Sequence, residues 1–267
     1  MNFRKLNIAL ASCCVFFSAA VLAAPPAAPS GKRWVPVNEL SDDFNFFDSQ
    51  KWQKRHATGW AGRKPSVFNS NNAAVSGGML RLNMSVKDSS QRGDWIWAGV
   101  VSSNAKSFTK GMYSEVRTKA ANLSGTSSFW MQGRYSEIDV IENYGNVTND
   151  RWRHLDTSME SNTHYFRDGW NNDKTTHKNW RNPNNMRNAD NFYTYGVWWK
   201  DSRTIIYYRD GVELGRVSPV ANFDEPMHVF LDMEVFDWGP GFPTLTQLWD
   251  NGKNTAYYDF IKTYRLQ

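Results

Sequence analysis

With 267 residues, 40% of them apolar, the chain has the hydrophobic material for one sizeable core. Its formal charge of +5 comes from 31 basic and 26 acidic residues, and falls to +3 once Arg4 and Lys5 of a removable leader are subtracted. So slight an excess excludes a dedicated nucleic-acid binder, although it suits contact with a polyanionic polysaccharide.

Residues 1–24 read as a secretory signal peptide: Arg4 and Lys5, an apolar run from Leu6 to Leu22, then Ala23-Ala24 ahead of Pro25. The run is short for a membrane span and no later stretch approaches one, so the expectation is a secreted protein without a membrane partner. Leu10-Ala11-Ser12-Cys13 mimics a lipoprotein cleavage box, but the apolar run continues past it, which favours ordinary secretion. Cys13 and Cys14 both fall in this segment, leaving no cysteine chemistry or disulfide in the mature chain. Residues 25–31, Pro-Pro-Ala-Ala-Pro-Ser-Gly, read as a flexible lead-in. The remaining span, 32–267, reads as a single domain, expected as a monomer.

That span carries no long 3.6-residue pattern. Short alternating runs predict strands at Met79–Met84, Gly99–Ser102, Met112–Thr118, Tyr195–Trp199, Thr204–Arg209, Met227–Val235 and Tyr258–Leu266. Asp210-Gly211, set between two such runs, predicts a tight hairpin. Many short strands joined by turns imply an all-β sandwich or barrel.

Ahead of the central strands, Trp60 lies in Thr58-Gly59-Trp60-Ala61-Gly62-Arg63, a loop where a large apolar ring is otherwise costly. Thirteen tryptophans are many for this length, and an aromatic face stacks well on the C–H face of a pyranose. Most of them must still be core. Trp60, Trp130 and Trp238 are the candidates for sugar contact, with Arg63 as a partner for a sulfate or hydroxyl.

The densest chemistry is Tyr135-Ser-Glu-Ile-Asp-Val-Ile-Glu-Asn-Tyr-Gly145. In a strand, Glu137 and Asp139 share a face while Ile138 and Val140 point the other way. Glu142 breaks that parity, and a β-bulge around Val140 or Ile141 would bring it back beside the other two acids. Crowded carboxylates repel, which raises the proton affinity of one of them. Two acids in different charge states are what hydrolysis of a glycosidic bond requires. An acidic strand edge or a metal site would also fit the bare pattern.

About twenty residues on, at a hairpin-return distance, Ser161-Asn162-Thr163-His164 places Asn162 and His164 on one face, as candidates to meet the acids or a sugar hydroxyl. A polar excursion follows over residues 167–191. With Arg151, Arg153, Arg167 and Lys174 nearby, it reads as a cleft wall able to present positive charge. A solvated loop is the plain alternative.

Phe129-Trp130-Met131, followed by Glu-Ile-Asp-Val-Ile-Glu, resembles the signature of glycoside hydrolase family 16, in the branch that degrades red-algal galactans. Landmarks similar to that family's continue in order: Ser41-Asp42-Asp43-Phe44, Lys51-Trp52, Asn72 to Leu82, Lys110 to Arg117, Tyr195 to Trp199, Tyr208 to Gly211 and Tyr258 to Tyr264. The resemblance implies a β-jelly roll of two antiparallel sheets with the acids on a concave face. It also implies a retaining endo-β-1,4-galactanase, with Glu137 as nucleophile, Glu142 as acid and base, and Asp139 between them. The start of the acid motif resembles carrageenases and its Glu142-Asn143-Tyr144-Gly145 end resembles agarases. Arginines in the loops tilt the expectation slightly to a sulfated carrageenan or furcellaran, with agarose or porphyran as the alternative. A non-catalytic carbohydrate-binding module is the rival of another class, and has no need of three acids on one strand. No cofactor is required, but the family often carries a structural calcium, which would sit here near Asp43, Gly78 and Asp259.

Overall fold

The computed structural model describes residues 24–267, so the leader, its lipoprotein-like box and both cysteines lie outside the described residues. Each predicted run forms a strand, with ends moved by a few residues; the last one extends furthest, over Thr255–Leu266. These strands make two sheets. The outer sheet has the order Val212–Val217, Thr204–Arg209, Tyr193–Asp201, Met112–Lys119, Thr255–Leu266, Leu80–Val86, Ile96–Ala98, Ser66–Phe68. Short strands at Trp34–Pro36 and Ala73–Val75 pair onto it. The cleft-side sheet runs Lys174–Thr175, Ser158–Tyr165, Ser136–Tyr144, Thr126–Gln132, His228–Asp232, Val100–Ser103, Trp52–Gln53. Pairing is antiparallel except between Ser66–Phe68 and Ile96–Ala98. Asp210 and Gly211 both have positive φ, the mirror-image turn expected of that hairpin.

The core lies between the sheets, because one face of each strand is apolar. Ile138, Val140 and Ile141 from the acid strand belong to the same buried cluster as Val116, Val197, Trp199, Tyr207 and Ile261 of the outer sheet. Each fully buried side chain of this kind contributes about 1.5–3 kcal/mol relative to exposure. This packing fixes the direction of the acid strand, and so the face on which its polar side chains emerge.

Three elements depart from expectation. The lead-in 25–31 is laid against the outer sheet, where Pro25 and Pro26 are half-buried and the Trp34 indole N–H donates to the Pro26 carbonyl at 2.6 Å. The excursion 167–191 is partly regular: Lys174–Thr175 and Lys178–Arg181 both pair with Ser158–Tyr165, covering what would be an open sheet edge. A short helix, Leu245–Trp249, is closed by a capping box between Thr244 and Gln247. Among the described residues no helix is long and apolar enough to cross a membrane.

Candidate active site

The acid strand contains the bulge that parity requires. Asp139 pairs with Trp130 and Ile141 with Phe129, so Val140 is the extra residue. Glu142 then opposes Ser128, on the face that already carries Glu137 and Asp139. The three carboxylates stand in line on the floor of a cleft of about 1260 Å³, large enough for several sugar units.

Their neighbours follow from strand register. Glu137 is flanked by Gln132 on one side and His164 on the other, and Asp139 by Trp130 and Asn162. Gln132 donates to Glu137 Oε2 at 2.8 Å. The ring of His164 spans two acids, with Nε2 3.3 Å from Asp139 Oδ2 and 3.9 Å from Glu137 Oε1. Its other nitrogen, Nδ1, lies 2.5 Å from Asp173 Oδ2. Burial alone would lower the imidazole pKa, but Asp139, Glu137 and Asp173 together outweigh it and raise it to about 10. His164 is therefore a cation among the acids.

Burial pushes both glutamates up, and the charge of Asp139 adds to it. Glu142 is raised to about 8, with Glu234 as a further negative neighbour. Glu137 is held well above the ordinary carboxylate range. His164 lies against it and Gln132 donates to it, both favouring the charged form. His164 and Arg63 likewise favour the charged form of Glu142. Glu137, Asp139 and His164 also offer ligand atoms within 4.8 Å of one another. A metal bound there would have to displace the proton that the neighbouring acids favour on His164.

The candidate binding residues all line this cleft, in different roles. Trp60 and Trp238 are exposed there, 37% and 53%, as faces for stacking. Trp130 is buried: it stacks on Phe230 at 4.3 Å and its indole N–H donates to Asp232 at 3.0 Å, making it floor rather than platform. Arg63 pairs through Nε with Glu234 Oε2 at 3.1 Å, its guanidinium 4.5 Å above Phe236 and 5.9 Å from Trp60. It is a fixed cation at the wall. Asn162 Nδ2 lies 2.9 Å from His164 Nε2.

A model of the beta-porphyranase A–D glycoside hydrolase family 16 domain matches residues 34–266. The chain belongs to glycoside hydrolase family 16. It is 32% identical to beta-porphyranase E of Zobellia galactanivorans, covering 89% of this chain and 90% of that one. It is 29% identical to beta-porphyranase B of Phocaeicola plebeius, over 90% and 87%. An extracellular agarase of Streptomyces coelicolor is 28% identical, over 90% and 86%. The crystal structure of beta-porphyranase BpGH16B from the human gut bacterium Bacteroides plebeius matches with a TM-score of 0.79 at 29% identity, covering 91% of this chain and 95% of its own. Beta-agarase A of Zobellia galactanivorans reaches 0.82 at 22% identity, a likeness of fold. As a family 16 member with the jelly-roll fold, the chain is a glycoside hydrolase.

Within this family 16 site, several residues escaped sequence reasoning. Glu234 and Asp232 carried a signal, since they share parity in the predicted run Met227–Val235, although the strand itself ends at Asp232. Gln132 shares a face with Trp130 in the same way. Asp173 lies in the polar excursion and had no signal: only folding brings it to His164. The cleft is lined by Arg63, Lys106 and Arg134, not by Arg151, Arg153, Arg167 or Lys174. Arg153 is tied to Asp150 and Asp156, and Arg167 lies over the Tyr135 ring. The excursion is therefore a weaker source of positive charge than its composition implied.

The residues proposed for calcium lie at neighbouring positions of the outer sheet, where Asp42 bridges Ile261 and Tyr258 pairs with Leu80. Asp43 Oδ1 already meets Lys262 Nζ at 2.6 Å and Asp259 Oδ2 meets Arg117 Nη1 at 2.6 Å. Gly78 offers only backbone in a turn. A donor set neutralised by two cations fits a divalent ion poorly.

Proposed function

We propose that this enzyme is a secreted, retaining endo-hydrolase of the β-1,4-galactose linkages of porphyran. The observation that carries the hydrolytic reading is the row Glu137, Asp139, Glu142 on one face of the cleft floor, with protons held apart by Gln132, His164 and Glu234. In the first step Glu137 attacks the anomeric carbon, the glycosidic C–O bond breaks, and Glu142 gives its proton to the departing oxygen. In the second, Glu142 takes a proton from water, which attacks the same carbon and frees Glu137. Asp139 and the His164 cation between them hold the negative charge in place.

One observation supports porphyran over carrageenan, and a second supports a sulfated galactan over a neutral one. The similar proteins named above are porphyranases and an agarase. The one strongly fixed guanidinium at the wall, Arg63, stands beside the Trp60 face, so a sulfate-bearing galactose has both charge and apolar surface to meet. Neutral agarose is the second reading, favoured by Glu234 already occupying part of that guanidinium. Reducing-sugar release from porphyran, agarose and kappa-carrageenan, with early product anomers read by NMR, tests both. Fastest release from porphyran with retained configuration is expected. Faster release from agarose selects the second reading, and binding without release from any of them selects the non-catalytic module.

A further inference from the structure

On the outer face of the sheet, away from the cleft, one carboxylate is buried without an adequate partner. Glu115, on the strand Met112–Lys119, is 1% exposed. It lies beside an aromatic cluster of Trp34, Tyr113, Trp198, Tyr208 and Tyr264. Tyr113 donates to its Oε2 at 2.7 Å, while Oε1 has no hydrogen-bond partner. Gly196 is what lets the Tyr113 hydroxyl lie there, since a Cβ at that position would come within 2.4 Å of it. The cations nearby are committed elsewhere. Lys262, the cross-strand neighbour of Glu115, turns to Asp43, and Arg117, two residues on, turns to Asp259. Lys200 lies over the Trp198 ring. Burial raises the Glu115 pKa to about 7, opposed by the Tyr113 hydroxyl and by the backbone nitrogen of Ala24.

Ala24 is brought there by the lead-in, which the Trp34–Pro26 hydrogen bond fastens across this face. It is also the residue at which the leader would end. A cut after Ala23 leaves small Ala23 before the bond and Val21 two residues earlier, whereas a cut after Ala24 would place the Pro25 ring at the scissile bond. We propose that export cleavage falls between Ala23 and Ala24, one residue earlier than the 1–24 boundary, and that the new α-ammonium of Ala24 docks on Glu115. Water adds across the Ala23–Ala24 peptide bond, giving a carboxylate on Ala23 and an amine on Ala24 that takes up a proton. A single amide N–H becomes a charged group with three donors, matched to the vacant Oε1. The inference rests on the leader reading and is independent of the substrate.

Intact mass and N-terminal sequencing of the exported protein are expected to give Ala24 as the first residue. The melting temperature of that protein at pH 7 is then compared with two variants, one extended by Gly-Ser before Ala24 and one carrying Glu115→Gln. Each is expected to melt lower by about 2–4 °C, and the two changes combined no lower than either alone. The pair needs both charges: docking raises the folded pKa of the amine and lowers that of Glu115, so the advantage is lost as pH rises through the amine's folded pKa above about 8, and again in acid as Glu115 takes up a proton. A mature chain beginning elsewhere overturns the proposal. So does an extended protein as stable as the exported one, or additive losses, which would give Glu115 a role unrelated to the terminus. Should Glu115→Gln fail to fold, the extended chain and its pH dependence decide alone.

Discussion

Glu142, the acid of the proposed mechanism, sits among three other carboxylates, and that crowding is expected to set the pH range of activity. It acts as an acid only while protonated, so kcat/KM is expected to fall as pH rises through about 8. Glu234→Gln removes one of the charges holding that proton and frees Arg63 from its partner; both changes favour ionised Glu142. The alkaline limb of the pH profile is therefore expected to move to lower pH, with little effect at pH 5. A limb that stays put or moves upward would show that Glu234 does not act on Glu142. For the proposed nucleophile, Glu137→Gln keeps shape and loses charge. Turnover is expected to fall at least about 10⁴-fold while oligosaccharide binding persists, measured by calorimetry beside the assay. Residual activity well above that level would assign the nucleophile elsewhere.

One extra residue does as much as any side chain at the level of the strand. Were Val140 held in regular alternation instead of a bulge, Glu142 would join Ile138 and Val140 in the layer that meets Val197 and Tyr207 of the facing sheet. Deleting Val140 leaves Glu142 opposite Ser128 on the acid face, so the row of three acids is expected to persist while the melting temperature falls with the loss of a buried valine, about 1.5–3 kcal/mol. An unchanged melting curve would show that the Val140 side chain adds little to the core. The neighbouring strand contributes by pairing alone: antiparallel register brings His164 beside Glu137 and Asn162 beside Asp139.

Two sheets packed face to face place a large cleft on one side of the described residues, with many charges spread over the rest. If the substrate carries sulfate, Arg63→Ala should cost roughly ten- to hundredfold in kcat/KM on the sulfated polymer and much less on a desulfated one. Added salt should shrink that difference, while stacking on Trp60 is insensitive to it. Equal losses on both substrates would reduce Arg63 to a support for the Trp60 loop. On the opposite face, Lys262 and Arg117 already neutralise the acids available to a metal ion. Excess chelator is therefore expected to leave the melting temperature unchanged, and a fall reversed by calcium would reinstate the ion.

Alternation of apolar and polar residues is a local property, so the strands, the Asp210-Gly211 hairpin and the face shared by Glu137 and Asp139 could all be read from the chain. The bulge could be inferred as well, because two acids three residues apart can share a strand face only if one residue is extra. Partners far apart in sequence could not be read. Asp173 reaches His164 from a polar excursion, Glu234 captures Arg63 across 171 positions, and Trp130 is buried by a stack with Phe230. The lead-in reads as flexible by composition, yet it is held by an indole and a half-buried pair of prolines. Such contacts depend on which strands become neighbours, which is settled only when the two apolar faces close on each other.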